Sequence, residues 1–224
     1  MVISDTRKFI FLHNPKVAGT SIRQPLKRYD TRQDFFWGLT TGATLKRPVD
    51  KAHMALEDMR ILFPGDFNLL DEYFVFVFVR HPLERFVSSF TQFIKQNCKQ
   101  LNYQQCNRNQ LLDMLGDFTR NELTFDKIRY DVNYRHFMPQ YYIAYCNGKC
   151  KADYIGHLDR LESDMGNISR IIRLESESIE KMDKRNTKAD QFTNLHLDIP
   201  PAIRDIHKAL YELDYLYFNF GDEV

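Results

Sequence analysis

YFVFVFVRHPLERFVSSF, Tyr73 to Phe90, decides how the rest of the chain is read. Its first half is an unbroken apolar run of aromatic and β-branched residues. That pattern belongs to a strand buried on both faces, as in the middle of a parallel sheet. From Pro82 onward the period becomes helical, with Leu83, Phe86, Val87, Phe90 and Ile94 on one face. Pro82 suits the first helical turn, where its missing N–H costs nothing. The stretch is therefore a strand–loop–helix unit with Arg80 at the strand tip.

The same order occurs earlier, in FIFLHNPKVAGTSI, Phe9 to Ile22. A short buried strand over 8–13 ends in a loop containing Asn, Pro, Lys, Gly, Thr and Ser. A helix from about Thr20 to Tyr29 follows, with Ile22 and Leu26 four residues apart. The loop looks like a phosphate cradle, yet Lys16 precedes Gly19, whereas the ATP-binding GxxxxGK[ST] loop places its lysine after the glycine.

Open α/β sheets bind ligands beyond the carboxyl ends of their strands, where helix N-termini present free N–H groups. Two anion sites are therefore expected. The first offers the backbone N–H groups of Val17, Ala18, Gly19, Thr20 and Ser21, two hydroxyls and the Lys16 ammonium. Gly19 allows a close backbone approach. The second offers Arg80, with Ser88 two turns into the helix. Two turns span roughly 10–11 Å, so Ser88 meets Arg80 only if the helix folds back beside the strand tip. Arg85 is expected in a surface ion pair. Each piece alone has an ordinary structural explanation: a strand-end Arg makes a salt bridge, and a helical Ser bonds its own turn.

The chain as a whole fits one α/β domain spanning residues 1–224. Hydrophobic residues make up 43% and aromatics 14%, enough for a large core. A net charge of +1 excludes a global attraction to nucleic acid or membrane, so any anion site is local. No run approaches the roughly 18 apolar residues of a membrane span. A soluble protein is expected, cytoplasmic if the chain is complete and in the Golgi lumen if it is a trimmed catalytic domain. Cys98, Cys106, Cys146 and Cys150 match zinc spacings poorly and leave free thiols or disulfides open. Asn147-Gly148 marks a tight turn that could bring Cys146 and Cys150 face to face.

Elsewhere, residues 31–51 read as irregular, Ala55 to Phe63 as a short helix ended by Pro64-Gly65, and Leu111 to Phe118 as helical. The polar segment 96–109 reads as a surface loop or lid. Asp153 to Gly156 reads as a strand end, and Ile203, Ile206, Leu210 and Leu213 mark an amphipathic helix after Pro200-Pro201.

HNPKVAGTSI resembles the 5′-phosphosulfate loop of sulfotransferases, whose carbohydrate branch typically reads HIPKTGGTS. VFVRHPLERFVSSF resembles their 3′-phosphate motif, an Arg before a Pro with a Ser eight residues after that Arg. The likeness is to Golgi-type carbohydrate sulfotransferases, including the uronyl 2-O-sulfotransferases. It continues through Pro139-Gln140, YIGHLDRLESD and ELDYLYFNF, and departs at Asn14, Val17 and Ala18. It implies a three-layer, P-loop-like α/β domain with a central parallel sheet, and 3′-phosphoadenosine 5′-phosphosulfate (PAPS) as donor. Such a donor is anionic at both ends of one nucleoside, which accounts for two cradles. Lys16 would reach the bridging oxygen where charge develops, with no metal. The acceptor would be a hydroxyl of a saccharide or glycoconjugate.

His53, in KAHMALEDM, matches the position of the catalytic base in the uronyl branch, with Glu57 and Asp58 as fallback bases. His13 and His81 are expected to brace loops, and His207 to be structural. Arg120, Lys127, Arg129 and Arg135 could line a cleft for an acidic saccharide. The rival readings are a P-loop nucleotide or small-molecule kinase, which lacks its GK[ST] here, and a non-catalytic nucleotide-binding module.

Overall fold

The computed structural model describes residues 1–41, 44–97, 105–174, 192 and 194–221. At its centre is a four-stranded sheet in the order β1 (Val2–Ser4), β2 (Phe9–Leu12), β5 (Phe74–Val79) and β8 (Tyr154–His157). The last three run parallel, in register Phe9 with Phe74 and Phe76 with Tyr154. β1 joins antiparallel to β2, an edge strand that the N-terminal sequence does not announce.

The two apolar runs earn their central positions by filling both faces. Ile10, Leu12, Val75, Val77 and Val79 point into the larger core, while Phe9, Phe11, Phe76 and Phe78 point into the smaller one. All nine side chains are 1% exposed or less, so neither strand could move to an edge without wetting one face. The smaller layer is closed by α1 (Gly19–Leu26) and α8 (Leu161–Ile171) through Ile22, Leu26, Met165 and Ile168.

The larger layer holds α2 (Leu56–Leu62), α3 (Pro64–Asn68), α4 (Pro82–Asn97), α5 (Arg108–Asp117), α6 (Phe125–Tyr130), α7 (Tyr141–Ala144) and the C-terminal α9 (Pro201–Tyr217). The result is a three-layer α/β fold with a mostly parallel sheet.

Several local expectations change. Residues 31–51 contain a small antiparallel pair, β3 (Leu39–Thr41) with β4 (Pro48–Asp50). Pro64-Gly65 ends α2, as expected, and also begins α3, because Pro is favourable in a first turn. Of the polar segment 96–109, residues 98–104, including Cys98, lie outside the described residues. Asn147 and Gly148 both take positive φ (50° and 74°), making a two-residue turn between β6 (Tyr145–Cys146) and β7 (Lys149–Cys150). Its register sets Cys150 opposite Tyr145, so Cys146 and Cys150 are not partners, and Cys106, Cys146 and Cys150 are free thiols.

Arg85 is the largest correction. Instead of a surface pair it is fully buried, donating to the carbonyls of His136 (3.0 Å) and Met138 (2.8 Å), 3.9 Å from the equally buried Asp214. Its place in the helical period lies on the apolar face beside Phe86, and the period alone does not distinguish a buried cation from an exposed one. Asp214 also accepts from the backbone N–H groups of Gln140 (3.0 Å) and Tyr141 (2.9 Å). Burial pushes its carboxyl upward, opposed by Arg85 and by these donors.

Asp214→Ala strands Arg85 as a buried charge and frees two N–H groups. It should lower stability by about 3–5 kcal/mol in urea unfolding. Asp214→Asn, which keeps an acceptor, should cost less.

Candidate functional site

The tips of β2 and β5 are joined by two buried amides. Asn14 Nδ2 donates to the Phe78 carbonyl (2.9 Å) and to Gln140 Oε1 (2.8 Å). Gln140 Oε1 also accepts from the Arg80 backbone N–H, and its Nε2 donates to the Arg80 carbonyl, both at 2.9 Å. Asn14 therefore does work that isoleucine, the usual residue at this place in the resembling motif, could not do. Gln140 appeared in the sequence only as an echo beside Pro139, and its function as a clamp was not legible there.

The loop between β2 and α1 places Lys16 (φ 65°) and Ala18 (φ 59°) in left-handed conformations, alternating with Val17. Such alternation turns successive backbone N–H groups toward one concave side, an anion-binding nest. Ala18 is the N-cap and supplies no side-chain acceptor, while Ile22 N–H bonds the Ala18 carbonyl. The N–H groups of Gly19 and Thr20 precede the first intrahelical bond and so face outward for a ligand. Val17 contributes only backbone here, because its side chain is buried in the smaller core.

Gly19 is needed for a reason other than ligand approach: a Cβ there would overlap the His13 ring.

Lys16 is largely buried, and desolvation together with the nearby charges of Arg80 and Lys95 lowers its ammonium to about 8. Three cations share one neighbourhood, and among the described residues no carboxylate contributes to the Lys16 shift. A dry ammonium next to two like charges favours an anion at this point. Lys95 was not foreseen; it lies on α4, two turns beyond Ser88. Arg80 is engaged by Glu84 one turn later, Nε to Oε2 at 2.9 Å. Ser88 is half-buried on the same helix, and among the described residues no hydrogen bond joins it to Arg80. The structure thus brings Lys16 and Arg80 together and leaves Ser88 without direct contact to the latter.

Three histidines cluster nearby, His136 close enough to Lys16 to feel its charge. His53 closes a 3-10 turn, Lys51–His53, capped by the Asp50 carboxylate, which accepts from Ala52 N–H at 2.9 Å. Its ring lies 4.5 Å from that of His13 and 5.3 Å from that of His136, centroid to centroid. His53 Nδ1 is 3.0 Å from the His13 carbonyl. A carbonyl can only accept, so Nδ1 carries the proton and Nε2 is left as a bare acceptor.

Burial, partly offset by the Asp50 carboxylate, brings His53 down to about 4. His136 falls to about 2 through burial and the neighbouring positive groups, and burial pushes His13 well below its ordinary value. All three rings are neutral at pH 7. His13 is further stacked on Trp37, centroids 5.6 Å apart, with the Arg23 guanidinium 4.4 Å from the indole centroid.

The fallback bases are otherwise occupied. Asp58 is buried between Arg47 (2.7 Å) and Arg129 (3.0 Å). Glu57 is paired with Arg60 and accepts from the Cys146 thiol at 3.2 Å, which holds its carboxyl below the usual range. Of the four basic residues proposed for an acceptor cleft, Arg129 and Arg135 line a groove that includes His53, together with Arg47. Arg120 and Lys127 instead make local pairs with Asp117 and Glu122, both at 2.8 Å. His207 is fully buried against Phe86 and Tyr211, as a structural residue would be. Among the described residues no cluster of His, Cys, Asp or Glu could hold a metal ion, and no helix is long and apolar enough to cross a membrane.

A family described as "Sulfotransferase family" matches the chain over residues 1–221. No curated protein and no solved structure matches it.

Gly19→Ala forces its methyl into the His13 ring, an overpacking that should cost about 1–3 kcal/mol. The expected signature is a lower urea midpoint with unchanged m-value. A midpoint equal to wild type would show that His13 does not need this space.

Proposed function

The chain belongs to the sulfotransferase family, and we propose that it moves the sulfuryl group of PAPS to a hydroxyl of a carbohydrate or glycoconjugate, with Lys16 and His53 as its catalytic residues. The observation that carries this reading is the His53–His13 hydrogen bond, which leaves an unprotonated Nε2 in a histidine cluster that borders Lys16 through His136. PAPS, when bound, supplies the sulfuryl group and a phosphate leaving group.

The cradle fits such a donor by its chemistry. The Val17 to Ser21 backbone, with the Thr20 and Ser21 hydroxyls, would hold the 5′ end. Arg80, released from Glu84, and Ser88 would hold the 3′-phosphate. Lys16, still mostly charged at pH 7, would neutralise the leaving oxygen, a stabilisation commonly the largest in such reactions. His53 Nε2 would take the acceptor proton, and the His13 carbonyl would hold the ring in the tautomer that makes this possible. His136, neutral beside the His53 ring, adds no positive charge next to the base. The groove beside His53 leads to the acceptor.

A kinase reading is disfavoured by Lys16 standing before Gly19 and not after it. A purely binding module would gain nothing from a histidine held in one tautomer beside the cradle.

Adenosine 3′,5′-bisphosphate should stabilise the protein without any added metal, by about 2.7 kcal/mol at 100 times Kd. ATP with magnesium should do much less, and the reverse order would support the kinase instead. Lys16→Ala should lower kcat more than it raises KM, because its contact strengthens as the leaving oxygen gains charge.

His53→Ala should lose about 10²–10⁴-fold in turnover while binding adenosine 3′,5′-bisphosphate normally. A neutral imidazole is required, and it is retained above its pKa and lost as pH falls through it. The acid limb of kcat/KM should therefore lie near pH 4 rather than 6.5, and be absent from the residual rate of His53→Ala. A wild-type limb near 6.5 would place the base elsewhere.

A further inference from the structure

The groove beside His53 carries a balance of charge that the proposed function does not use. It is lined by three guanidinium groups, Arg47, Arg129 and Arg135, and by three carboxylates, Asp50, Asp58 and Asp131. Each arginine already lies against a carboxylate, although Arg135 Nε makes no hydrogen bond among the described residues. Arg47 and Arg129 both hold Asp58, at 2.7 and 3.0 Å, and Arg135 lies 2.8 Å from Asp50. The Asp58 and Arg129 side chains are only 6% and 9% exposed, so this pairing belongs to the groove wall and not to mobile surface chains.

Asp131 faces the same space, with one oxygen accepting from Asn133 N–H at 2.9 Å. Tyr130 adds a half-exposed aromatic ring, with Arg47 and Arg129 at 5.4 and 5.3 Å from its centroid. The groove is half open, and the space in it that a water-sized group can reach is about 30 Å³, room for a small polar group.

A carboxylate entering this space would lose its hydration in a groove whose three guanidinium groups and three carboxylates already cancel, leaving no surplus positive charge to offset that loss. Burying a further charge without a partner of its own is unfavourable. An uncharged hydroxyl meets no such conflict. It can donate to a spare carboxylate lone pair and accept from a spare guanidinium N–H, since each paired group retains capacity.

We propose that the groove receives a hydroxyl or hydroxymethyl arm, so that the acceptor is a saccharide uncharged at the position next to the sulfated hydroxyl. This rests on the reading of His53 as the base. It also runs against the expectation, drawn from four scattered basic residues, of an acidic saccharide.

The test uses two polymers that differ at one group: an unsulfated, alternating uronate–N-acetylhexosamine polysaccharide, and the same chain with its carboxylates reduced to hydroxymethyl groups. The reduced chain should be sulfated with about tenfold higher kcat/KM, the scale of one unit charge at close range. Asp131→Asn, which keeps the Asn133 cap while removing one negative charge, should shrink that preference severalfold without changing affinity for adenosine 3′,5′-bisphosphate. Equal rates on both chains, or a preference for the carboxylate form, overturns the inference. Sulfation of neither chain while adenosine 3′,5′-bisphosphate still binds also overturns it and leaves the donor assignment standing. Failure to bind adenosine 3′,5′-bisphosphate overturns the proposed function itself, and the inference with it.

Discussion

One side chain, Gln140, holds the two central strand tips in a fixed relation. Its amide brackets the Arg80 peptide from both sides and receives the Asn14 amide, so the tips of β2 and β5 are tied to one another. The cations of the cradle hang from those two ends: Lys16 from one, Arg80 from the other. Buried amides of this kind stabilise only when nearly all their hydrogen bonds are made, and a partly satisfied network would cost more than an apolar contact. Gln140 meets that condition through its side chain and also through its backbone, which Asp214 receives. The C-terminal helix thereby fixes the geometry of a site it does not line.

The separation of the molecule into two chemical sides follows from this frame. Lys16, Arg80 and Lys95 gather positive charge on one side, where backbone N–H groups add to it. Beside it, three histidines are kept neutral mainly by burial, helped by the charge of Arg23 at His13, of Arg135 at His53, and of Arg135 and Lys16 at His136. A charged imidazolium at His136 would face Lys16 as well as Arg135, so the cradle's lysine helps keep that ring, the neighbour of the base, unprotonated.

The parts of the fold legible in sequence were those whose signal is local. Tyr73 to Phe90 announces a buried strand and an amphipathic helix because period and burial are written residue by residue. Phe9 to Ile22 does so because a loop of small and polar residues interrupts an apolar run. The strand Val2–Ser4 was missed because three residues carry no period. Arg85 was misplaced because a buried cation is specified by its distant partners, the carbonyls of His136 and Met138, which lie about fifty residues away. Gln140 and Asp214 were invisible as site residues for the same reason. The pairing of Arg129 with Asp58 and of Arg135 with Asp50 belongs to this class too: the basic residues were readable, their neutralisation was not.

His13 belongs to both sides of the site at once. Its ring occupies the space that a Cβ at Gly19 would need, directly under the first turn of α1, and its carbonyl holds the Nδ1 proton of His53. The cradle and the base are therefore coupled through a single residue. A ligand that shifts the first turn of α1 must press on the His13 ring, and a ligand that tilts His53 must pull on the His13 peptide. Thermodynamic linkage makes such an effect reciprocal: the factor by which filling the cradle alters affinity in the groove equals the factor by which filling the groove alters affinity in the cradle.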